Sequence, residues 1–170
     1  MYIVEHTIAT PLGAMRLWAS AGGLLRADFA DSDYNEILAW ARRMFGEYTL
    51  APDAHHALII QAQLQLEAYF AGLRDSFELA LDLRGSNFQK SVWHALCCIP
   101  AGTTWSYQAL ATHIGHPKAV RAVGAANGAN PISVIVPCHR LIGSDGKLHG
   151  YGGGLARKQA LLTLEQTYSF

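Results

Sequence analysis

The stretch SYQALATHIGHPKAVRAVGAANGAN, Ser106–Asn130, decides how the second half of this chain folds. Ser106 can cap a helix over Tyr107 to Ile114, because a serine oxygen accepts from the free N–H groups of a first turn, and Gly115 stops that helix. The segment HPKAVRAVGAAN then sets Pro117 at a first-turn position and runs through helix formers to Asn127-Gly128. Two short helices around a glycine turn predict a helix-turn-helix, whose second helix usually enters a DNA groove, although an ordinary αα-hairpin shares the pattern. A reader of base edges would carry Arg, Asn, Gln and Lys on that helix. This one carries alanine, valine and glycine, with Arg121 as the one long cation at its middle. Close approach to sugar-phosphate and a single inserted side chain suit a minor groove better than sequence readout. The plain alternative for Arg121 is a surface arginine on a packed helix.

Charge points the same way. The chain is neutral as a whole, yet residues 1–83 hold 5 Lys+Arg against 11 Asp+Glu, net −6, and residues 84–170 hold 8 against 2, net +6. Such asymmetry predicts a polyanion-facing C-terminal part attached to an acidic N-terminal part, unless the charges simply scatter over two solvated surfaces. With 170 residues, half of them apolar, the chain can bury roughly 70% of its unfolded surface, enough for one compact domain or two small packed ones. Three cysteines cannot pair off, and the adjacent Cys97 and Cys98 would strain a disulfide. A reducing compartment follows. No charged-then-apolar leader is seen and the apolar runs fall short of the ~20 residues that span a bilayer, so a cytoplasmic protein, or one nuclear by diffusion, with no membrane partner is expected. No metal is expected either: CxxC spacing is absent, and the adjacent His55 and His56 cannot comfortably reach one ion from a helix.

Toward the N-terminus, IVEHTIATPLGAMRLWAS alternates around the breaker Thr10–Gly13, and Leu24 to Phe29 follows Gly22-Gly23, which predicts a three-stranded antiparallel start. Helical spacing over Tyr34 to Phe45 and again over Leu58 to Phe70 predicts two helices, the first covering the sheet. SFELALDLR, Ser76 to Arg84, alternates once more before Gly85-Ser86-Asn87, where the domain boundary is placed: 1–84 and 85–170. A further helix follows, with Phe88, Val92, Ala95, Leu96 and Ile99 as its stripe. Cys97 and Cys98 flank that stripe and are expected to be ordinary packed thiols.

ISVIV, Ile132 to Val136, reads as a buried strand ended by Pro137, and Cys138-His139-Arg140 comes next. In extended backbone neighbouring side chains face opposite ways, so His139 can take the Cys138 proton only if the chain turns or a water bridges the two. A histidine in that role needs a carboxylate behind it, and the basic half offers only Asp145 and Glu165. Glu165, on the last helix, is preferred.

PCHR preceded by NPISVIV, the upstream SYQALA and RAVGAANGANP, and the downstream GYGGGLARKQALLTLE together resemble the O6-alkylguanine-DNA alkyltransferases, or methylated-DNA–protein-cysteine methyltransferases, over residues 86–166. The N-terminal part is similar in outline, with TPLG in its first hairpin. The resemblance implies an α+β protein, with a small antiparallel-sheet-plus-helices (ribonuclease-H-like) N-terminal domain and a mainly helical, winged helix-turn-helix-like C-terminal domain. It implies direct-reversal repair: Cys138 takes the alkyl group from O6 of a guanine (O4-alkylthymine is a second candidate) flipped out of double-stranded DNA, and keeps it as a thioether, once per molecule.

Further roles follow from the same resemblance. His139, through water, deprotonates Cys138; Glu165 supports His139; Asn130 organises the turn beneath the cysteine; Tyr107 crowds the flanking phosphate and protonates the leaving guanine; Arg121, beside Ala122, fills the hole left by the base. Leu141 offers its carbonyl to the exocyclic amine, Gly152 its N–H to O6, and Tyr151, Gly153, Lys158 and Ser133 complete the pocket. No cofactor is implied, and a monomer is expected. Ser133 and His149 depart from residues found in some members, from which slower reaction with O6-benzyl than with O6-methyl substrates is expected. Two rival readings are a Cys-His hydrolase, which needs no helix-turn-helix, and a lesion-binding protein, whose family relatives lack a cysteine in the PCHR position. An inert, packed Cys138 is the third alternative, against which the whole constellation stands.

Overall fold

The computed structural model describes residues 1–168. Strands β1 (Tyr2–Ile8), β2 (Met15–Ser20) and β3 (Gly23–Phe29) form the expected antiparallel meander. A short β4 (Thr49–Pro52), with four residues and a proline, left no periodic signal; it pairs parallel to β1 and completes a sheet of order β3-β2-β1-β4. Alternation along the strands feeds both faces. Ile3, Trp18 and Leu25 pack with Ile37 and Ala41 of α1 (Tyr34–Phe45) on one side, and Leu17, Leu24 and Ala27 share the main core with Ile59, Leu66 and Tyr69 of α2 (Ala57–Phe70) on the other. Asp33 caps α1 by accepting from the Asn35 N–H.

In the C-terminal half, α3 (Asn87–Leu96) opens with a capping box, in which the Ser86 hydroxyl accepts from the Gln89 N–H and the Gln89 amide oxygen accepts from the Ser86 N–H. It ends one turn sooner than its apolar stripe suggested. Cys97 is therefore the cap and Cys98 lies beyond it, both exposed, which corrects their expected packing. Then come β5 (Trp105–Ser106), α4 (Tyr107–His113), α5 (Val120–Gly128), a two-residue β6 (Leu141–Ile142) pairing parallel to β5, and α6 (Leu155–Thr167). Ser106 caps α4 through the Ala109 N–H, as its position predicts. Pro117, by contrast, lies in the link and not in the first turn of α5, which starts at Val120 after a turn closed by the Ala119 N–H on the His116 carbonyl.

Two stretches expected to be extended are not strands. Residues 76–84 form no regular strand; their backbone pairs with β3 where the Leu24 N–H donates to the Ala80 carbonyl and the Asp82 N–H to the Leu24 carbonyl, and the Asp82 carboxylate accepts from the Ser20 hydroxyl of β2 at 2.6 Å. Farther along the same edge of β3, the Ala27 N–H donates to the Pro131 carbonyl and the Ser133 N–H to the Ala27 carbonyl. Residues 132–136 leave that edge at once and curl, with Val136 N–H on the Ile132 carbonyl at 2.9 Å and Val134 at φ 72°, a conformation that a β-branched residue rarely adopts. The exposed edge of an open sheet is thus covered by two non-local contacts, and the second fixes where the following turn begins.

Among the described residues no helix is long and apolar enough to cross a membrane. Replacing Ala27 by proline removes the donor to Pro131 at this seam. Ala27→Pro is expected to lower unfolding free energy by about 1–3 kcal/mol, the cost of one buried carbonyl left unpaired, as read by urea titration.

Candidate active site

Cys138, His139 and Arg140 form a single 3-10 turn, all three buried, so the neighbouring side chains are not held on opposite faces as a strand would hold them. Cys138 N–H closes on the Val136 carbonyl at 2.8 Å and Arg140 N–H on the Pro137 carbonyl at 3.0 Å. Two asparagines brace the turn from below. Asn130 donates from Nδ2 to the Val136 carbonyl at 2.8 Å and accepts at Oδ1 from the Ile132 N–H, while Asn127 of α5 donates to the Cys138 carbonyl at 3.4 Å.

Glu165, fully buried on α6, is the centre of the charges here. Its Oε1 accepts from His139 Nε2 at 2.7 Å, Arg140 Nη2 at 2.8 Å and the Tyr69 hydroxyl at 2.7 Å; Oε2 accepts from Arg140 Nε at 3.0 Å and the Gly102 N–H at 3.4 Å. Burial by itself would raise this carboxyl, but the hydrogen bonds from His139 and Arg140 outweigh it and hold Glu165 well below the usual carboxylate range. An ionised carboxylate only accepts, so the His139 proton sits on Nε2 and its Nδ1 is left as a lone pair. That buried Nδ1 has no hydrogen-bond partner among the described residues. Burial also lowers the His139 pKa, leaving the ring a neutral base at pH 7.

Cys138 is pushed up to about 11, by burial first, with Asn130 and the Lys158 ammonium partly opposing. Lys158 is itself buried without a carboxylate; its Nζ donates to the carbonyls of His149 at 2.8 Å and Gly150 at 3.5 Å, and burial lowers its pKa while Cys138 raises it. The His149 carbonyl also accepts from the Tyr107 hydroxyl at 3.3 Å, so the 143–150 loop is held from two sides. Tyr107, the first residue of α4, has a raised pKa from burial and from Cys138 and stays a phenol at neutral pH. The His149 imidazole points instead to Asp145 at 3.3 Å and is half-exposed, so it is the carbonyl and not the ring of His149 that these side chains meet.

The remaining residues fall in three places. Tyr151 is buried to its hydroxyl beside Ser133 and Cys138, without a hydrogen bond of good geometry, and Gly153 packs so closely that a Cβ there would lie 2.8 Å from the Tyr151 ring and 2.9 Å from Phe29. Gly152 is exposed with open space around it. Leu141 is buried in β6 against Trp105. Arg121 and Ala122 lie apart from the cysteine, exposed on α5, whose opposite face buries Val123, Ala126 and Asn127. Sequence reasoning missed Tyr69, Arg140 and Asn127. Arg140 carried a signal, a charge in an apolar turn; Tyr69 carried none, standing 96 residues from its partner.

A buried cysteine backed by a neutral histidine and an ionised glutamate, set beside a helix-turn-helix, defines a thiol-centred protein with a nucleic-acid-type scaffold. The 6-O-methylguanine DNA methyltransferase family matches in both its parts, the ribonuclease-like domain over residues 3–83 and the DNA binding domain over residues 87–167. The methylated-DNA–protein-cysteine methyltransferase of Mycobacterium tuberculosis strain H37Rv is 61% identical over 162 residues, covering 95% of this chain and 92% of its own, and that of Methanosarcina barkeri is 58% identical over 163 residues, covering 94% of each. Among solved structures, M. tuberculosis O6-methylguanine methyltransferase superposes with a TM-score of 0.85 at 43% identity, over 99% of this chain and 95% of that one. The same organism's OGT in complex with DNA superposes at 0.82 and 44%, over 99% and 94%. The chain belongs to the 6-O-methylguanine DNA methyltransferase family.

Two measurements check the electrostatics. His139 is buried neutral, so the unfolded chain binds a proton near pH 6.5 that the folded one resists; Glu165 is held ionised, so its contribution is lost as pH falls from about 4.3 toward its depressed folded value. Both signs agree. Stability is expected to fall below pH 6.5, by up to about 1.4 kcal/mol per pH unit for one proton, and His139→Gln to flatten the slope between about pH 6.5 and 5 in urea titrations. Iodoacetamide at pH 7.5 is expected to label exposed Cys98 before buried Cys138, as read by peptide mass.

Proposed function

We propose that this protein repairs O6-alkylguanine in double-stranded DNA by direct reversal, moving the alkyl group once and irreversibly onto Cys138. The observation that carries the reading is the 3-10 turn that sets Cys138 against the His139–Glu165 pair. With a pKa of about 11, ionising the thiol in advance costs roughly 5 kcal/mol at pH 7, leaving about one molecule in ten thousand as thiolate. Removal of the proton must therefore accompany attack. His139 Nδ1, neutral and lacking a protein partner, takes it through a bridging water, and Glu165 holds the resulting imidazolium.

The Cys138 sulfur attacks the methyl carbon in line, an S–C bond forms, and the C–O6 bond breaks with its electrons left on guanine. Tyr107, a phenol at neutral pH, gives the departing base a proton, and the proton held at His139 returns to the tyrosinate through solvent. The net exchange is thiol hydrogen for methyl, and it balances without metal or cofactor. The thioether does not hydrolyse, so there is no second turnover.

Residues 85–170 act as the DNA-binding, alkyl-accepting domain and 1–84 as its ribonuclease-like support. Exposed Arg121 enters from the minor groove and fills the space of the flipped guanine, with Ala122 against the backbone. Asn130 sets the cysteine turn. The Leu141 carbonyl and Gly152 N–H read the base, while Tyr151, Ser133 and Gly153 wall the alkyl side and Lys158 fixes the loop. The protein works as a cytoplasmic monomer, its three free thiols suited to a reducing compartment.

Mixing with excess duplex containing O6-methylguanine is expected to add one methyl, on the Cys138 peptide alone, with guanine restored and none added to Cys138→Ser. Tight binding with no methyl added would favour a lesion-binding protein instead. Arg121→Ala is expected to slow single-turnover transfer about tenfold or more, since the vacated stack loses its substitute.

A further inference from the structure

Tyr69 stands near the end of α2, in the N-terminal half, yet its hydroxyl lies 2.7 Å from Glu165 Oε1 on the last helix. The side chain has no solvent exposure, and its ring is fixed by Phe70 at 5.3 Å in an edge contact and by Phe77 at 5.4 Å. A phenylalanine would fill the same core position. The hydroxyl is therefore not explained by packing, and a buried hydroxyl is a cost unless it is hydrogen-bonded.

Its acceptor is the very oxygen to which His139 Nε2 donates at 2.7 Å. Charge neutralisation does not require Tyr69, because Arg140 already supplies the counter-charge through Nε and Nη2. What a third donor on Oε1 does is draw electron density from that oxygen and fix its direction. A donor to the charged carboxylate weakens the carboxylate's hold on an imidazolium at His139, so the hydroxyl sets how basic Nδ1 is. Tyr69 remains the donor at any working pH, since burial first and then Glu165 raise its pKa far above the usual phenol value.

We propose that Tyr69 is a positioning residue of the alkyl-transfer relay: its hydroxyl aims the Glu165 carboxylate at His139 and tempers the proton affinity of that histidine. The N-terminal half then supplies one group to the relay in addition to covering the core. This rests on the relay proposed above. It does not rest on Tyr69 touching DNA or cysteine.

Tyr69→Phe keeps the ring and removes the one hydrogen bond, which makes it the variant to test. Single-turnover methyl transfer followed from pH 5.5 to 9 is expected to show an acid limb displaced upward by about half a pH unit, because His139 must be neutral to act and now holds its proton more tightly. The plateau rate is expected to fall about three- to tenfold as the carboxylate loses its aim. NMR titration of the His139 ring in the DNA-free protein, assigned with His139→Gln, reads the same quantity without activity: the variant's ring should become protonated at higher pH than the wild type's. A lower melting temperature alone, with acid limb and ring titration both unchanged, would reduce Tyr69 to packing and overturn the proposal. Wild-type protein that transfers no methyl at any pH would defeat the function proposed above, and the ring titration would still decide the role of Tyr69.

Discussion

A buried anion governs this structure. Glu165 has been taken out of water on α6, and an uncompensated carboxylate there would cost several kcal/mol, so the fold has to bring donors to it from wherever they lie in the chain. They come from three places and meet the acceptor on α6: the 3-10 turn gives His139 and Arg140, α2 gives Tyr69, and the link after α3 gives the Gly102 N–H. Removing one partner of such a group typically costs about 3–5 kcal/mol, more than any surface ion pair could return. Arg140 adds a second tie by donating from Nη1 to the Ile99 carbonyl at 2.6 Å. The carboxylate is at once the main electrostatic demand on the fold and the group that keeps the His139 proton on the side away from its free nitrogen.

That demand explains why residues 132–136 are not a strand. An extended run into Pro137 would carry Cys138 and His139 to opposite faces, whereas the 3-10 turn buries both and sets His139 on Glu165 of α6. The chain instead leaves the β3 edge after one pairing and accepts a strained Val134, a distortion of order 1–3 kcal/mol of the kind that persists where surroundings over-determine it. The surroundings here are two asparagine side chains, the Ala27 pairing and a buried valine side chain. Arg157 reinforces the same seam from α6, with Nε on the Leu12 carbonyl, Nη1 on Asp31, and its guanidinium 4.1 Å over the Phe29 ring.

What the sequence disclosed, and what it hid, divides along the range of the interactions. The meander, α1, α2 and the helix-turn-helix were legible because periodicity, Ser106 and Gly115 act within a turn or two of themselves. The Cys138–His139–Glu165 set was legible through a motif and a scarcity of carboxylates. Three readings went wrong where a tertiary contact overrode a local preference: β-branched ISVIV reads as strand but is bent by partners far along the chain, Pro117 suits a first turn but the link needed it earlier, and SFELALDLR alternates yet finds only one stretch of β3 edge free. Tyr69 had no local signature at all, since a tyrosine at that point of an apolar helix reads equally as core.

The protonated, buried cysteine at first looks like a defect in a nucleophile. A depressed thiol pKa and open access are what a catalytic cysteine ordinarily needs, and Cys138 has neither. For a group that can react only once, the balance differs, because any electrophile or oxidant met in solution would consume the protein as surely as its substrate. Exposed, activated sulfur would be spent early. In the function proposed above, a thiol kept protonated until a base arrives ties reactivity to the substrate, and a neutral His139 on an ionised Glu165 is the group that takes the proton without a standing thiolate. The N-terminal half is joined to this set at one point, the Tyr69 hydroxyl on Glu165 Oε1, so the carboxylate behind His139 has its full complement of donors only in the complete fold.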